Sequence, residues 1–286
     1  MSETKVSDQV ERVNHTQQPA ARGASGTEAA DRVADVLLLF SGGTDSLGVS
    51  TISRELGIAK AVVHRILRSL VSRQLIVPDS GGRAYRLGPA ASALGARALR
   101  ESGLRSAALP VLRTLRDRTG ETTTLSELVG DTRVYLDQFG SPQEIKMTVE
   151  IGRRFPLHAG ASSKAILAFL PESEREPVLR ARLAPLTGRT VCDQEQLRAE
   201  LGAIAAAGTA VSHGERQRGA ASVAAPVFGM DGDVVAAISI CGPVDRFGPA
   251  ECREYERLVH AAGQEISRAL GWGAPAPERT TLKEGT

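Results

Sequence analysis

The chain has 286 residues, 42% hydrophobic and 24% charged, the balance of a globular protein of one or two domains. It holds no run of about 18 apolar residues and its first residues lack the apolar stretch of a secretory leader, so neither a membrane span nor an exported chain is expected. The net charge of +2 names no partner, but residues 31–106 alone carry +5, so a polyanion is expected to meet that segment if it meets any.

Residues 1–26 are rich in Gln, Thr, Ser, Ala and Gly without apolar periodicity and read as a disordered tail, as do residues 273–286. A first helix is expected over 28–40, with Val33, Val36, Leu37 and Phe40 inward. Leu38 and Leu39 extend its apolar surface, which fits either deeper burial or a helix shared with a second subunit. A short helix then ends at Leu56. Gly57 follows where a helix stops by turning left-handed.

A second helix spans about 59–72, with Val62, Val63, Ile66, Leu67 and Leu70 at core spacing. Lys60, His64 and Arg68 recur at i, i+4 and i+8 on its outer face, flanked by Arg65 and Ser69. Strands at 75–77 and 84–87, joined by Asp79-Ser80-Gly81-Gly82 and carrying Arg83, complete a winged helix-turn-helix. A lone basic helix face is ordinary. One preceded by a glycine turn and followed by a wing is suited to DNA phosphates and base edges.

After the wing, a connector helix is expected over 90–105, then an interruption at Pro110 and a helix to Arg118. Strands follow at 122–129, 132–139 and 146–149, a helix at 162–169, and helices at 172–183 and 193–207. Strands at 210–213, 222–228 and 234–241 come next, the last two joined through a turn at 229–233. A closing helix spans 249–270. The class is α+β, divided into a DNA-binding segment 27–88, a linker helix 89–106 and a sensor-like domain 107–272.

Cys192, Cys241 and Cys252 are odd in number and form no C-x-x-C pair, which fits free thiols in the cytoplasm. His15, His64, His158, His213 and His260 are scattered, so no metal site is expected, and no motif suggests a cofactor. There is no G-x-S-x-G elbow, P-loop or G-x-G-x-x-G after a strand. No catalytic residue is therefore assigned, and the alternative of an enzymatic C-terminal domain has no motif behind it. Lys164 reads as a helix-surface lysine, and His158 as either a ligand contact or a structural histidine.

The chain resembles the IclR-type transcriptional regulators over residues 28–270. The resemblance is carried, in order, by segments 30–37, 63–67, 85–88, 152–158, 164–168, 224–227 and 238–240. It implies a winged helix-turn-helix, a linker helix and a GAF-like α/β effector domain. It also implies homodimers, often paired into tetramers, on palindromic operators. Ala61 and Val62 stand where the family commonly has small hydroxyl residues. Ser162-Ser163 precede Lys164 where Ala-Gly is common, and Ser212 and Ser222 replace a frequent Asp and Cys.

The resemblance implies an effector cup at Gly160, Ala161, Ser212, Ser222, Ser239 and Cys241. Free N–H groups at the helix start after Gly160 would favour a carboxylate. Ser239 and Cys241 alternate with Ile238 and Ile240, so both face one side of a strand, and Ser222 could reach the same side. These hydroxyls either bond within the protein or hold a ligand. No Arg or Lys is required by this mapping, which points to a small monocarboxylate or aromatic acid held by N–H groups and hydroxyls rather than a multiply charged metabolite. The expected partners are operator DNA and that acid.

Overall fold

Thr27 opens the first helix, α1 (Glu28–Leu39), its hydroxyl accepting from the Ala30 N–H. The computed structural model describes residues 27–42 and 44–273. The expected tail 1–26, and 273–286 apart from Gly273, lie outside the described residues. The chain divides into two units, at residues 93 and 94.

In the first unit, β1 (Leu47–Gly48) leads into α2 (Val49–Leu56), which Gly57 ends in the left-handed region with φ 65°. α3 (Lys60–Ser72) follows, then the hairpin of β2 (Ile76–Pro78) and β3 (Ala84–Leu87). β1 joins the other edge of β3, a third strand too short to announce itself in sequence. Val36, Phe40, Ile52, Val63, Ile66, Leu67, Leu70 and Ile76 form one buried core. Leu39 packs against it, whereas Leu38 remains exposed. Burying these side chains, at about 1.5–3 kcal/mol each, holds three short helices that would not persist alone.

α4 (Pro89–Glu101) crosses the division between the units and contains no buried residue. It stops earlier than expected, because Ser102 caps a new helix, α5 (Gly103–Thr119), by accepting from the Arg105 N–H. Pro110 lies inside α5 and does not interrupt it. The buried stripe Leu104, Ala108, Val111, Leu112 and Leu115 runs through the proline. Tertiary burial there outweighs the lost backbone hydrogen bond.

The second unit is built on a six-stranded antiparallel sheet. Its strands are β4 (Thr122–Val129), β5 (Thr132–Phe139), β6 (Arg154–Pro156), β7 (Ala210–His213), β8 (Ala220–Phe228) and β9 (Val234–Pro243), in the order β6-β5-β4-β9-β8-β7. The strand expected at 146–149 is absent; that stretch is irregular, and β6 pairs with β5 in its place. Gln138 holds the irregular stretch, donating to the Val149 carbonyl and accepting from its N–H.

Alternation along the strands separates two cores. Val223, Ala225, Val227, Ile238 and Ile240 face α5 and α9 (Pro249–Ala269). Ala210, Ala224 and Ala237 face α6 (Ala161–Leu167), α7 (Glu172–Arg180) and α8 (Gln194–Ala207). The result is a helix–sheet–helix sandwich. α8 stops at Gly208 in the left-handed conformation.

α9 lies so close to β8 that a Cβ at Gly263 would come 2.6 Å from the Pro226 carbonyl oxygen. Backbone cannot yield there as a flexible side chain would. Gly263→Ala is therefore expected to destabilise the protein by about 1–3 kcal/mol despite alanine's better helix propensity. Thermal unfolding checks this, and an unchanged or raised midpoint would show that the helix can retreat without loss.

Candidate functional site

On the first unit, Lys60, His64, Arg65, Arg68, Ser69 and Arg83 are all exposed. The 3.6-residue period that buries Val63, Ile66, Leu67 and Leu70 necessarily turns the intervening polar residues outward. Among the described residues, none of Lys60, His64, Arg65, Arg68 and Arg83 has a carboxylate partner, so their charge is not spent within the chain. Ser69 differs, since its hydroxyl accepts from Arg73 Nη1 at 2.9 Å. Arg73 thereby stands beside the same face, a cation the helical spacing had not drawn attention to. In the hairpin turn, Asp79 accepts from the Ala84 N–H through its side chain and from the Gly82 N–H through its carbonyl.

On the second unit, Gly160, Ala161, Ser212, Ser222, Ser239 and Cys241 line one recess. Strand register explains the convergence. Ser212 pairs with Ser222 across β7 and β8, and Ser222 with Cys241 across β8 and β9, so the three stand in one row on one face. Ser239 belongs to the next row, opposite Ala224 and Thr124. The start of α6 forms the wall, with Gly160 at φ 87°. The recess opens partly to solvent and its cavity volume is about 30 Å³, room for little more than a water molecule unless its walls part.

Not all these polar groups are equivalent. Ser239 Oγ and Thr124 Oγ1 share a hydrogen bond at 2.7 Å, so Ser239 is satisfied internally. Ser212 and Ser222 have no side-chain hydrogen bond to any described residue, which leaves both hydroxyls for the recess. Burial raises the Cys241 thiol to about 12, with Glu121 adding to the shift while Arg216 and Arg133 oppose it. The thiol therefore stays protonated near neutrality and is a poor nucleophile.

The recess also contains residues that spacing did not reveal. Arg133 of β5 is only 1% exposed. It donates from Nε to Ser163 Oγ at 2.7 Å, from Nη1 to Ser126 Oγ at 2.9 Å and from Nη2 to Tyr135 Oη at 3.2 Å. Its partners are all neutral, and burial lowers its proton affinity below the ordinary guanidinium value. Arg216, on the β7–β8 connection, joins it in the lining, with Tyr135, Met147, Ser162, Glu215 and Gln217. The sequence mapping required no Arg, and two line the recess. The alternation of Arg133 with Tyr135 along β5 was the available signal.

The surface reading of Lys164 is corrected. It is fully buried, and its ammonium lies 2.5 Å from both Glu200 Oε1 and Glu215 Oε1. The other Glu215 oxygen accepts the Gly160 N–H at 3.1 Å, so that donor is already occupied by the protein's own carboxylate. His158 is buried outside the lining, with Nε2 2.9 Å from the Ala184 carbonyl oxygen, a structural placement.

The thiols give a direct check of this burial. Cys192 is exposed, whereas Cys241 and Cys252 are buried and shifted upward chiefly by desolvation. A raised thiol value keeps the neutral, unreactive form through pH 8, so a soluble disulfide reagent at that pH should modify Cys192 alone in the native chain. All three should react after unfolding, and rapid native modification of a second thiol would contradict the burial described.

Two family descriptions match the chain: "IclR helix-turn-helix domain" over residues 29–80 and "Bacterial transcriptional regulator IclR C-terminal" over residues 96–268. The regulator BhcR of Paracoccus denitrificans is 34% identical over 91% of this chain and 93% of its own length. The crystal structure of an IclR-type regulator from Silicibacter sp. TM1040 has a TM-score of 0.78 at 32% identity, covering 87% of this chain and 98% of that one. An IclR homologue from Microbacterium hydrocarbonoxydans, solved with 4-hydroxybenzoate, has a TM-score of 0.66 at 26% identity, over 85% and 98% of the two chains. With a helix-turn-helix unit, a curled-sheet α/β unit and both family descriptions in the same order, the chain belongs to the IclR family of bacterial transcriptional regulators.

Proposed function

We propose that this regulator reads operator DNA through Lys60, His64, Arg65, Arg68 and Ser69 of α3, with Arg83 of the wing at the backbone or minor groove. A small organic or aromatic acid in the β5/β8/β9 recess sets its affinity for that DNA. Residues 27–88 form the DNA-binding segment, 89–106 the linker and 107–272 the effector domain. The observation that carries the DNA assignment is the exposed cationic face of α3 without internal counter-charges. Such a face releases counterions when it meets phosphates. The effector assignment is carried by the recess, where two hydroxyls and two guanidinium groups lack full partners. The relative solved with 4-hydroxybenzoate supports an aromatic acid as one member of the class.

The working unit is at least a homodimer, and a dimer of dimers by family resemblance. One winged helix buries too little surface for tight specific binding, and two half-sites remedy this. Leu38 on α1 and Leu94 on α4 are exposed large apolar residues that a partner subunit would cover. No described helix is long and apolar enough to cross a membrane, and the protein's place is with the cytoplasmic DNA it reads.

Arg68→Ala is expected to weaken operator binding by about 1–3 kcal/mol and relax discrimination at one base pair if Arg68 meets a base edge. If it meets phosphate, affinity should fall evenly across sequences and the salt slope should drop by about one. Titrations at several salt concentrations distinguish these, and unchanged affinity and slope would remove Arg68 from the interface. Light scattering of the DNA-free protein should give two or four times the 30.2 kDa chain mass, and a monomer at micromolar concentration would contradict the assembly.

A further inference from the structure

Two cations meet in the recess without a counter-ion. The Arg133 guanidinium carbon lies 4.4 Å from the Tyr135 ring centre and 5.1 Å from that of Phe155. The Arg216 guanidinium carbon lies 5.6 and 4.8 Å from the same two rings. The rings pack edge to face, 5.4 Å apart. Both guanidinium groups thus gather around one aromatic pair, where Arg216 disfavours the charge on Arg133. Among the described residues neither has a carboxylate partner.

The one carboxylate in the lining cannot serve them. Glu215 is held by Lys164 through one oxygen and by the Gly160 N–H through the other. Lys164 is matched by Glu200 and Glu215, while Arg133 and Arg216 have no carboxylate partner among the described residues, so these five groups sum to one positive charge. A guanidinium with N–H donors to spare, buried beside an open space, is suited to a carboxylate by shape as well as charge.

We propose, building on the effector assignment above, that the effector carries a single acidic group and that Arg133 and Arg216 hold that group together. Arg133 is the fixed half of the clamp, locked by three hydroxyls on β4, β5 and α6. Arg216 is the half that arrives with the β7–β8 connection, between Gly214 and Gly219, both at positive φ. The hydroxyls of Ser212 and Ser222, on the strands farthest from β5 on that side of the sheet, remain for the uncharged end of the molecule. Discrimination is therefore between an acid and its neutral isostere, and between one acidic group and two.

The test is thermal unfolding of the full chain with matched compounds: benzoate against benzamide, propanoate against propanamide, and phthalate as a diacid. At least one monoacid should raise the midpoint, while its amide at the same concentration should not. Arg216→Gln, on a partly exposed connection, should raise the apparent Kd for that acid at least tenfold. Arg133→Lys keeps the charge but loses the fork, and should do the same. Operator binding by both variants without acid reports that they are folded.

An amide as effective as its acid would overturn the clamp while leaving the effector assignment standing. So would stabilisation by phthalate alone, or wild-type titration of the acid by both folded variants. If no compound moves the midpoint while operator DNA does, the assignment of an organic-acid effector to this recess fails, and the clamp with it.

Discussion

One buried ammonium organises the effector-side wall. Lys164 lies on α6 with no exposed surface, and its two carboxylates come from elsewhere: Glu200 from α8 and Glu215 from the β7–β8 connection. Glu215 then holds the Gly160 N–H at the start of α6. A single charge thus ties a helix, the helix packed outside it and the loop that carries Arg216. Such a group is stable only while every partner is present. Removing one partner of a buried pair typically destabilises by about 3–5 kcal/mol, because it leaves an uncompensated charge. The apolar core beneath, with Leu197, Leu201 and Ile204 of α8 against Ala165 and Ile166 of α6, supplies burial energy but no such direction.

The same arrangement divides the polar residues of the recess into framework and contact. Ser163 and Ser126 orient Arg133, and Thr124 engages Ser239. These hydroxyls have internal duties and set the shape. Ser212 and Ser222 have none among the described residues. A hydroxyl on the recess face of a core strand is therefore no guarantee of ligand contact, and the distinction rests on partners one or two strands away. Beside the recess, Ala210, Ala224 and Ala237 are small enough to let the sheet pack into the core with α6.

How much was legible in sequence follows from the range of the interactions involved. α3, β4 and β5 were readable because their signals are local: apolar period, β-branched runs, and glycines or acids at their ends. Gly57 announced its left-handed turn for the same reason. Pro110 misled because its local preference was overruled by the buried stripe on α5, and 146–149 because β-branched composition does not create a pairing partner. The partners of Lys164 and Arg133 were beyond the reach of local pattern. Glu215 is 51 residues from Lys164 and Ser163 is 30 from Arg133, so the partners that make these charges tolerable inside the protein meet only through the fold. Among the recess residues, those reached by strand alternation and by family resemblance were found together, and those defined by long-range charge were not.

Spare positive charge gathered in one recess has an energetic consequence for a regulator. Buried charge without a counter-ion raises the free energy of the conformation that encloses it. On the proposed reading, an acid entering the recess removes that penalty only in the conformation that brings Arg216 beside Arg133. The ligand's free energy is then directed to one arrangement of the β7–β8 connection rather than shared equally among several, and only such differential binding can shift an equilibrium. The glycines at both ends of that connection let it reposition without strain in the strands. The Lys164 network limits how far it can go, since Glu215 sits one residue before Arg216. A connection anchored at Glu215 and charged at Arg216 can therefore transmit the presence of an acid to α6 and α8, through the same carboxylate that fixes them.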